Sequence, residues 1–162
     1  MEITLIPLSP EHVPILTSIL NQDLALREAL SISGTLSEAE FLATSTTWTR
    51  KHASTTYTIL LDRDPIGILS ISNCNDKEVI VRIGYWLASN HWNKGYGSRA
   101  FALALSIARD KGAKVATATI PNTSRASYRM WEKMGAVFEE LGSSHIAQLD
   151  LAISTPQRPA RQ

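Results

Sequence analysis

The feature that most constrains the fold is a change of hydrophobic period around two glycines. Residues 79–88, VIVRIGYWLA, form a nearly continuous apolar run, which predicts a central strand covered on both faces. The polar segment ASNHWNK, residues 88–94, leads from this strand to Gly95 and Gly97. Beyond the glycines, apolar side chains recur at helical spacing: Ala100, Leu103, Ala104, Ile107 and Ala108. The chain therefore contains a strand, a polar loop and a helix that begins at glycines.

The rest of the sequence predicts an α/β (α+β) fold around this unit. Ser37 and Glu40 form a capping box for a helix that reaches about His52. The full order of elements, β-α-α-β-β-β-α-β-α-β-β, predicts a mixed central sheet flanked by helices. Residues 21–36 fit either helix pieces or a loop. We predict a single domain over residues 1–153, followed by a solvated C-terminal tail over residues 154–162.

Composition excludes several classes of protein. The net charge is +1, and no basic run exceeds a dipeptide, so neither a nucleic-acid partner nor a membrane partner is expected. Cys74 is the only cysteine, which excludes an intrachain disulfide and a cysteine metal cluster. The histidines show no metal-ligand spacing, so we expect no metal. The N-terminus reads as a first strand rather than as a signal peptide, and we expect a cytoplasmic protein.

The glycine segment is suited to holding an anion. Free amides point out of the first turn of a helix, and the helix dipole favours negative charge there. Lys94 would add a point charge, whereas His91 is expected to be exposed. Two interpretations compete: the glycines serve only the turn, or they form a phosphate site, for which GYGSRA suggests a dinucleotide as one ligand. The dinucleotide pattern lacks the expected acidic residue after the helix, and no nucleotide P-loop is present.

Two segments together resemble the GNAT superfamily of N-acyltransferases. IGYWLASNHWNKGYGSRAF, residues 83–101, is similar to its acetyl-CoA-binding segment, and SRASYRMWEKMGAVF, residues 124–138, is similar to its second signature. The similarity is greatest to the branch that includes ribosomal-protein N-terminal acetyltransferases. It implies an acyl-CoA N-acyltransferase-like fold with a splayed central sheet, and acetyl-CoA as the co-substrate.

The resemblance also implies which residues hold coenzyme A. The loop from Trp92 through Ser98, which includes Tyr96, would wrap the pyrophosphate. The expected main-chain donors in this loop are Asn93, Lys94, Gly95, Gly97 and Ser98. Leu87 and Ala88 would offer backbone groups to the pantetheine arm, which is peptide-like and can lie as an added strand. The asparagine of the second signature would fall at Ser124, while Asn122 lies two residues earlier, and either one could contact the pantetheine.

Candidate catalytic residues are few. Relatives carry a glutamate where this chain has Arg82, and a tyrosine where it has Trp131. Ser127 matches the serine of the second signature and could donate a proton to the leaving thiolate, or it could simply pack in its helix. Tyr128 is a second candidate donor, and Glu78 is interpreted as a surface residue at the start of a strand. If Arg82 faces the acceptor, it would favour substrates with a carboxylate or phosphate.

These observations predict an acetyl-CoA-dependent N-acetyltransferase. It would move the acetyl group to a primary amine of a small molecule or a protein N-terminus by direct attack in a ternary complex. The alternatives are an acyl-CoA-binding sensor without catalysis, motivated by the missing glutamate and tyrosine, and a dinucleotide-binding protein. The resemblance also suggests a homodimer.

Overall fold

The computed structural model describes residues 1–75 and 79–152, apart from the side chains of Cys74 and Asn75. In chain order the elements are β1 (Ile3–Pro7), α1 (Val13–Gln22), α2 (Leu24–Ala29), α3 (Glu38–His52), β2 (Ser54–Leu61), β3 (Asp64–Asn75), β4 (Ile80–Leu87), α4 (Tyr96–Asp110), β5 (Val115–Pro121), α5 (Arg125–Lys133), β6 (Val137–Leu141) and β7 (Ser144–Asp150). Short 3-10 turns precede α1 and follow β4. The predictions for Glu78 and for the tail 154–162 lie outside the described residues.

The strands form one mixed sheet in the order β1-β2-β3-β4-β5-β7-β6. β4 pairs in parallel with β5 over Ile80–Arg82, whereas the pairs β1–β2, β2–β3, β5–β7 and β6–β7 are antiparallel. The predicted mixed sheet flanked by helices is therefore confirmed. The chain divides into two compact units, Met1–Ser72 with Gly84–Ala104 and Asn73–Ile83 with Leu105–Gln162.

The first unit has a core between its helices and its strands. Buried residues on α1 recur at the spacing of one helical face, Val13, Leu16, Thr17 and Leu20. Leu26 of α2 and Phe41 of α3 complete a cluster with them. Phe41 is positioned because α3 begins where the sequence predicts, with the Ser37 hydroxyl accepting from the Glu40 amide at 3.1 Å.

In the second unit, β7 pairs in antiparallel with both β5 and β6. β7 lies between β5 and β6, and β6 and β7 form a final hairpin in which residues 137–141 pair with residues 144–148. α5 ends before Gly135, whose φ of 93° is the left-handed conformation typical of a helix terminus. Its N-cap is Ser124, which makes no side-chain capping bond.

One further expectation needs correction, and one open point is decided. The strand predicted to be covered on both faces is central, but Arg82 and Gly84 of β4 are exposed, because alternate residues of a strand point to opposite sides. Residues 21–36, which the sequence left undecided between helix pieces and a loop, contain the helix α2. Its N-cap is Asp23, whose carboxylate accepts from the Leu26 amide at 3.1 Å.

Candidate active site

The loop between β4 and α4 contains a row of main-chain amides without protein partners. The Trp92 amide donates to the Ser89 carbonyl at 3.1 Å, and the Arg99 amide donates to the Gly95 carbonyl at 3.1 Å. Between these two bonds, the amides of residues 95–98 donate to no group in the described part of the chain, whereas the Lys94 amide closes a turn over Trp92 and Asn93. The first amides of a helix have no intrahelical acceptor, and they favour an anion. These amides are therefore available to an anion, and the assignment of individual donors stays a prediction.

The two glycines of this loop serve different purposes. Gly95 has a φ of 82°, in the left-handed region, and an added Cβ would meet nothing within 4 Å. Backbone conformation therefore requires glycine at this position. Gly97 lies in the first turn of α4, where an added Cβ would come within 3.1 Å of the Tyr85 hydroxyl oxygen. The absence of a side chain at Gly97 thus allows α4 to begin close to β4.

The end of β4 is bonded to the loop that follows it. The Trp92 indole nitrogen donates to the Leu87 carbonyl at 2.8 Å. The Ala88 amide donates to the Ile66 carbonyl at 2.8 Å, and the Ala88 carbonyl accepts from the His91 amide at 3.0 Å. Ala88 therefore has no amide left for a pantetheine arm, and a contact there would use the second lone pair of a carbonyl oxygen.

Around these bonds, the side chains of the loop differ in exposure. Lys94 and Ser98 are exposed, as a ligand-binding surface requires, whereas His91 is half-buried rather than exposed as predicted. Burial lowers the pKa of His91 from its ordinary value of 6.5, the Lys94 ammonium lowers it further, and Asp64 acts in the opposite direction. His91 is therefore neutral at neutral pH and adds no positive charge to the loop.

A carboxylate that sequence reasoning missed supports the start of this loop. Asp23 accepts from the Ser89 amide and from the Ser89 hydroxyl, both at 2.6 Å, and also from the Leu26 amide. Burial raises the pKa of Asp23, but the bonds from Ser89 and Leu26 together outweigh it, so the pKa lies below its ordinary value of 3.8. Asp23 could have been recognised as a helix cap, but its partner 66 residues away could not.

Asp23→Asn is expected to lower the free energy of unfolding by about 2 kcal/mol at neutral pH, because it weakens charge-assisted hydrogen bonds and a helix cap. The folded-state pKa is depressed, so this stabilisation is fully present above the ordinary value of 3.8 and is lost as pH falls through the folded-state pKa. Urea unfolding measures the free energy of unfolding at neutral pH and at about pH 3. The difference in this free energy between wild type and variant should be smaller at the acidic pH.

Asp62→Asn is the matched control, because Asp62 is an exposed carboxylate that accepts from the Glu2 amide at 2.8 Å. Its effect should be clearly smaller than that of Asp23→Asn. Equal losses in the two variants, or a difference that does not change with pH, would contradict the role given to the Asp23 carboxylate.

A cavity of about 300 Å³ lies in the first unit. It is bounded by one face of α3, by strands β2 to β4 and by the region of α1 and Leu36. Its lining residues are Leu20, Leu36, Phe41, Thr44, Ser45, Trp48, Thr56, Ile68, Ser70, Gly84, Tyr85 and Trp86. The residues of β4 that line it directly precede Leu87, the strand end predicted to contact the pantetheine arm.

The remaining predicted site residues belong to the second unit. Arg82 is exposed, is paired with Thr117 of β5, and does not line the cavity of the first unit. Asn122 is exposed, whereas Ser124, Ser127 and Tyr128 are half-buried. The structure thus groups Leu87, Ala88 and residues 92–98 in the first unit, and it places Arg82, Asn122, Ser124, Ser127 and Tyr128 in the second.

Tyr128 is held by other aromatic rings of the second unit. Its ring stacks on Phe138 with centroids 4.0 Å apart, and the ring of His145 meets it edge-on at 5.2 Å. A second cavity, of about 410 Å³, lies beside it and is lined by Pro121, Asn122, Arg125, Tyr128, Arg129, Glu132 and His145. Trp131, at the position where relatives carry a tyrosine, is 2 % exposed and packs inside its unit.

The described residues contain neither a group of side chains suited to a metal ion nor a helix able to cross a membrane. No cluster of three or more histidine, cysteine, aspartate or glutamate side chains suited to a metal ion occurs in residues 1–75 and 79–152. Within the same residues, every helix is too short or too polar to cross a membrane.

Comparison with known proteins identifies the family. The family model of the acetyltransferase (GNAT) domain matches residues 2–137. The chain belongs to the GNAT acetyltransferase family. The family predicted from the two motifs is confirmed, and so is the predicted class of enzyme, an acyltransferase. Among curated protein sequences, none matches the chain.

Solved structures share the GNAT fold at low sequence identity. The ribosomal alpha-N-protein acetyltransferase RimL in complex with coenzyme A is 16% identical, with a TM-score of 0.73, and the match covers 91% of this chain and 93% of that one. A spermidine N-acetyltransferase from Vibrio cholerae in complex with coenzyme A and spermine is 13% identical, with a TM-score of 0.76 and coverage of 93% and 96%. A GNAT acetyltransferase from Streptococcus pneumoniae is 18% identical, with a TM-score of 0.69 and coverage of 92% and 99%.

Proposed function

We propose that the protein is an N-acetyltransferase that moves an acetyl group from acetyl-CoA to a primary amine by direct attack in a ternary complex. The observation that carries the proposal is the row of amides at residues 95–98, which donate to no described group and lie at the N-terminus of α4. Membership of the GNAT family supports it, as do similar structures solved with coenzyme A.

The residues present fit the pyrophosphate of coenzyme A. The amides of Gly97 and Ser98 would donate to it, together with those of residues 93–95, and the exposed Lys94 ammonium would add charge. The Trp92–Leu87 bond holds the loop against the end of β4. Bound acetyl-CoA supplies a thioester: the transfer forms an amide C–N bond, breaks the C–S bond and leaves the thiol with the proton that the amine gives up.

The chain would act mainly by holding the reacting groups together. Positioning an amine and a thioester in line offsets much of the entropic part of the barrier. The amine must be neutral to attack, because an alkylammonium of pKa about 10 has no free lone pair. A main-chain amide near Leu87, other than the Ala88 amide that donates to Ile66, is our candidate donor to the oxyanion.

The proposal is tested by combining a binding assay with a turnover assay. Calorimetry should show stoichiometric binding of coenzyme A, and release of free thiol from acetyl-CoA should depend on an added primary amine. The acetylated amine should be identified by mass spectrometry. If coenzyme A does not bind, or if Ser98→Asp binds it as well as wild type does, the loop assignment fails.

The pH dependence of the reaction should follow the acceptor. None of the residues lining the cavity of the first unit is aspartate, glutamate or histidine, so that lining offers neither a carboxylate nor an imidazole as general base. We expect kcat/KM to rise about tenfold per pH unit below the pKa of the free amine. Steady-state kinetics at several pH values measure this slope. A plateau that begins near neutral pH would instead reveal a base on the protein.

We propose that Ser127 or Tyr128 protonates the leaving thiolate. Removing the donor hydroxyl should lower kcat by about a hundredfold with little change in coenzyme A affinity. Ser127→Ala and Tyr128→Phe are suitable variants, because phenylalanine keeps the ring contacts with Phe138 and His145. Thermal unfolding serves as the control for folding. Unchanged kcat in both variants would show that the thiolate leaves without either donor.

An acyl-CoA-binding sensor is a second candidate function. It is favoured by two observations: Arg82 occupies the position of the expected glutamate, and Trp131 is buried where a tyrosine would act. Coenzyme A binding without acetylation of any amine in a broad panel would support the sensor over the enzyme. A cytoplasmic location and a homodimer stay predictions, testable by fractionation and by light scattering.

A further inference from the structure

The cavity of the first unit is lined by apolar and uncharged polar side chains. One wall is a face of α3, where Phe41, Thr44, Ser45 and Trp48 follow at i, i+3, i+4 and i+7. Strand residues such as Trp86 add further apolar surface. The volume of about 300 Å³ is at the lower end for small-molecule sites. The cavity therefore suits one compact group rather than a long chain.

Not one of the described side chains that line this cavity carries a charge. The acidic residues of the first turn of α3, Glu38 and Glu40, and the basic residues of its last turn, Arg50 and Lys51, lie outside the lining. Burying an ammonium, carboxylate or phosphate without an opposite charge is costly. The lining therefore disfavours polyamines, which carry several ammonium groups, and it equally disfavours anionic acceptors.

We infer that the acceptor is a primary amine attached to a small uncharged apolar group, such as an arylalkyl or branched alkyl group. The inference rests on the proposed function, since it assigns this cavity to the acceptor. Aromatic walls from Phe41, Trp48 and Trp86 would contact the apolar group. Such an environment disfavours the charged form of an alkylamine, so it promotes the neutral nucleophile without a protein base.

Two features of the cavity fit this occupant. Trp48 is 42% exposed, an unusual position for a large aromatic ring, and a bound apolar group would cover part of it. Hydroxyl groups such as those of Thr44, Ser45 and Ser70 offer neutral hydrogen-bond partners, which suit an uncharged amine. The lining thus supplies apolar contact and neutral polar groups together.

Binding can be measured separately from turnover. Tryptophan fluorescence of the protein with coenzyme A bound should change saturably with 2-phenylethylamine and 3-methylbutylamine, because Trp48 and Trp86 line the cavity. Spermidine and glutamate should produce no saturable change at tenfold higher concentration. This corresponds to a difference in binding free energy of at least about 1.4 kcal/mol. Thiol release with the same four amines supplies the matching specificity constants. A tripeptide that begins with phenylalanine tests whether the acceptor amine belongs to a protein N-terminus or to a free small molecule.

The outcomes separate this inference from the proposed function. Preference for the apolar amines, or for the tripeptide, supports it. Preference for spermidine or glutamate overturns it while the acetyltransferase assignment stands. If coenzyme A binds and no amine is acetylated, the proposed function fails, but the fluorescence titration still tests the cavity. Saturable binding of the apolar amines then supports the assignment of the cavity to an apolar amine, and absence of such binding overturns that assignment.

A pair of substitutions on α3 tests the role of neutrality. Thr44→Asp places a carboxylate at the exposed rim of the cavity, and Thr46→Asp places the same charge on the opposite face of the helix. Thr44→Asp should raise the specificity constant for spermidine relative to 2-phenylethylamine by about tenfold. Thr46→Asp should leave this ratio unchanged. Equal ratios in the two variants would overturn the inference, because charge in the lining would then have no influence on acceptor choice.

Discussion

Ser98→Asp is expected to weaken coenzyme A binding by at least tenfold, or about 1.4 kcal/mol. Ser98 is exposed in the first turn of α4, beside the amides proposed to hold the pyrophosphate. A carboxylate there repels the diphosphate, yet it interacts favourably with the helix dipole, so thermal stability should be equal or slightly higher. Calorimetry with coenzyme A measures the loss. Because the effect is Coulombic, it should shrink as ionic strength rises.

Ser106→Asp provides the matched control, since Ser106 is exposed on the same helix two turns later. It should leave coenzyme A affinity unchanged. Gly97→Asp should also reduce binding, but it crowds the Tyr85 hydroxyl, which would lie 3.1 Å from the new Cβ, so it mixes charge with strain. Undiminished affinity in Ser98→Asp would place the diphosphate elsewhere and remove the main support for acyl transfer.

Gly67→Ala is expected to lower the free energy of unfolding by about 3 kcal/mol. An added Cβ at Gly67 would lie 2.1 Å from the Trp86 carbonyl oxygen and 3.1 Å from the Leu87 Cα. Backbone atoms cannot move aside as a flexible side chain can, so β3 and β4 would have to separate at the end that leads into the loop. Urea unfolding measures the stability, and acceptor KM should rise where the variant still folds.

Gly84→Ala is the control for this substitution, because it makes the same change on the neighbouring strand. Its added Cβ would meet only the Ser70 Oγ, at an ordinary contact distance of 3.7 Å. We expect a change in unfolding free energy within about 1 kcal/mol. Similar losses in the two variants would show that strand propensity, rather than the close approach of β3 and β4, explains the glycine at position 67.

Asp23 shows why part of the site could not be predicted. Local patterns identify a helix cap, because the capping bond joins residues three apart. The two bonds from Ser89 to the same carboxylate join residues 66 apart, and no spacing in the sequence indicates them. The sequence also left residues 21–36 undecided between helix pieces and a loop, again because the deciding contacts are not local. α2 has only six residues and gains its stability from the burial of Leu26.

The sequence by itself determined the family, the mixed sheet and the position of the loop at residues 92–98, because each depends on residues close together in the chain. Helical and strand periods, the capping box and the glycines are local properties, and they predicted β4, the loop and α4 in order. Only the tertiary structure decided what surrounds them: the neutral lining of the cavity in the first unit, the exposure of Arg82, and the carboxylate that supports the loop. Those features arise where distant segments pack together, and packing depends on the whole set of contacts rather than on any one stretch of residues.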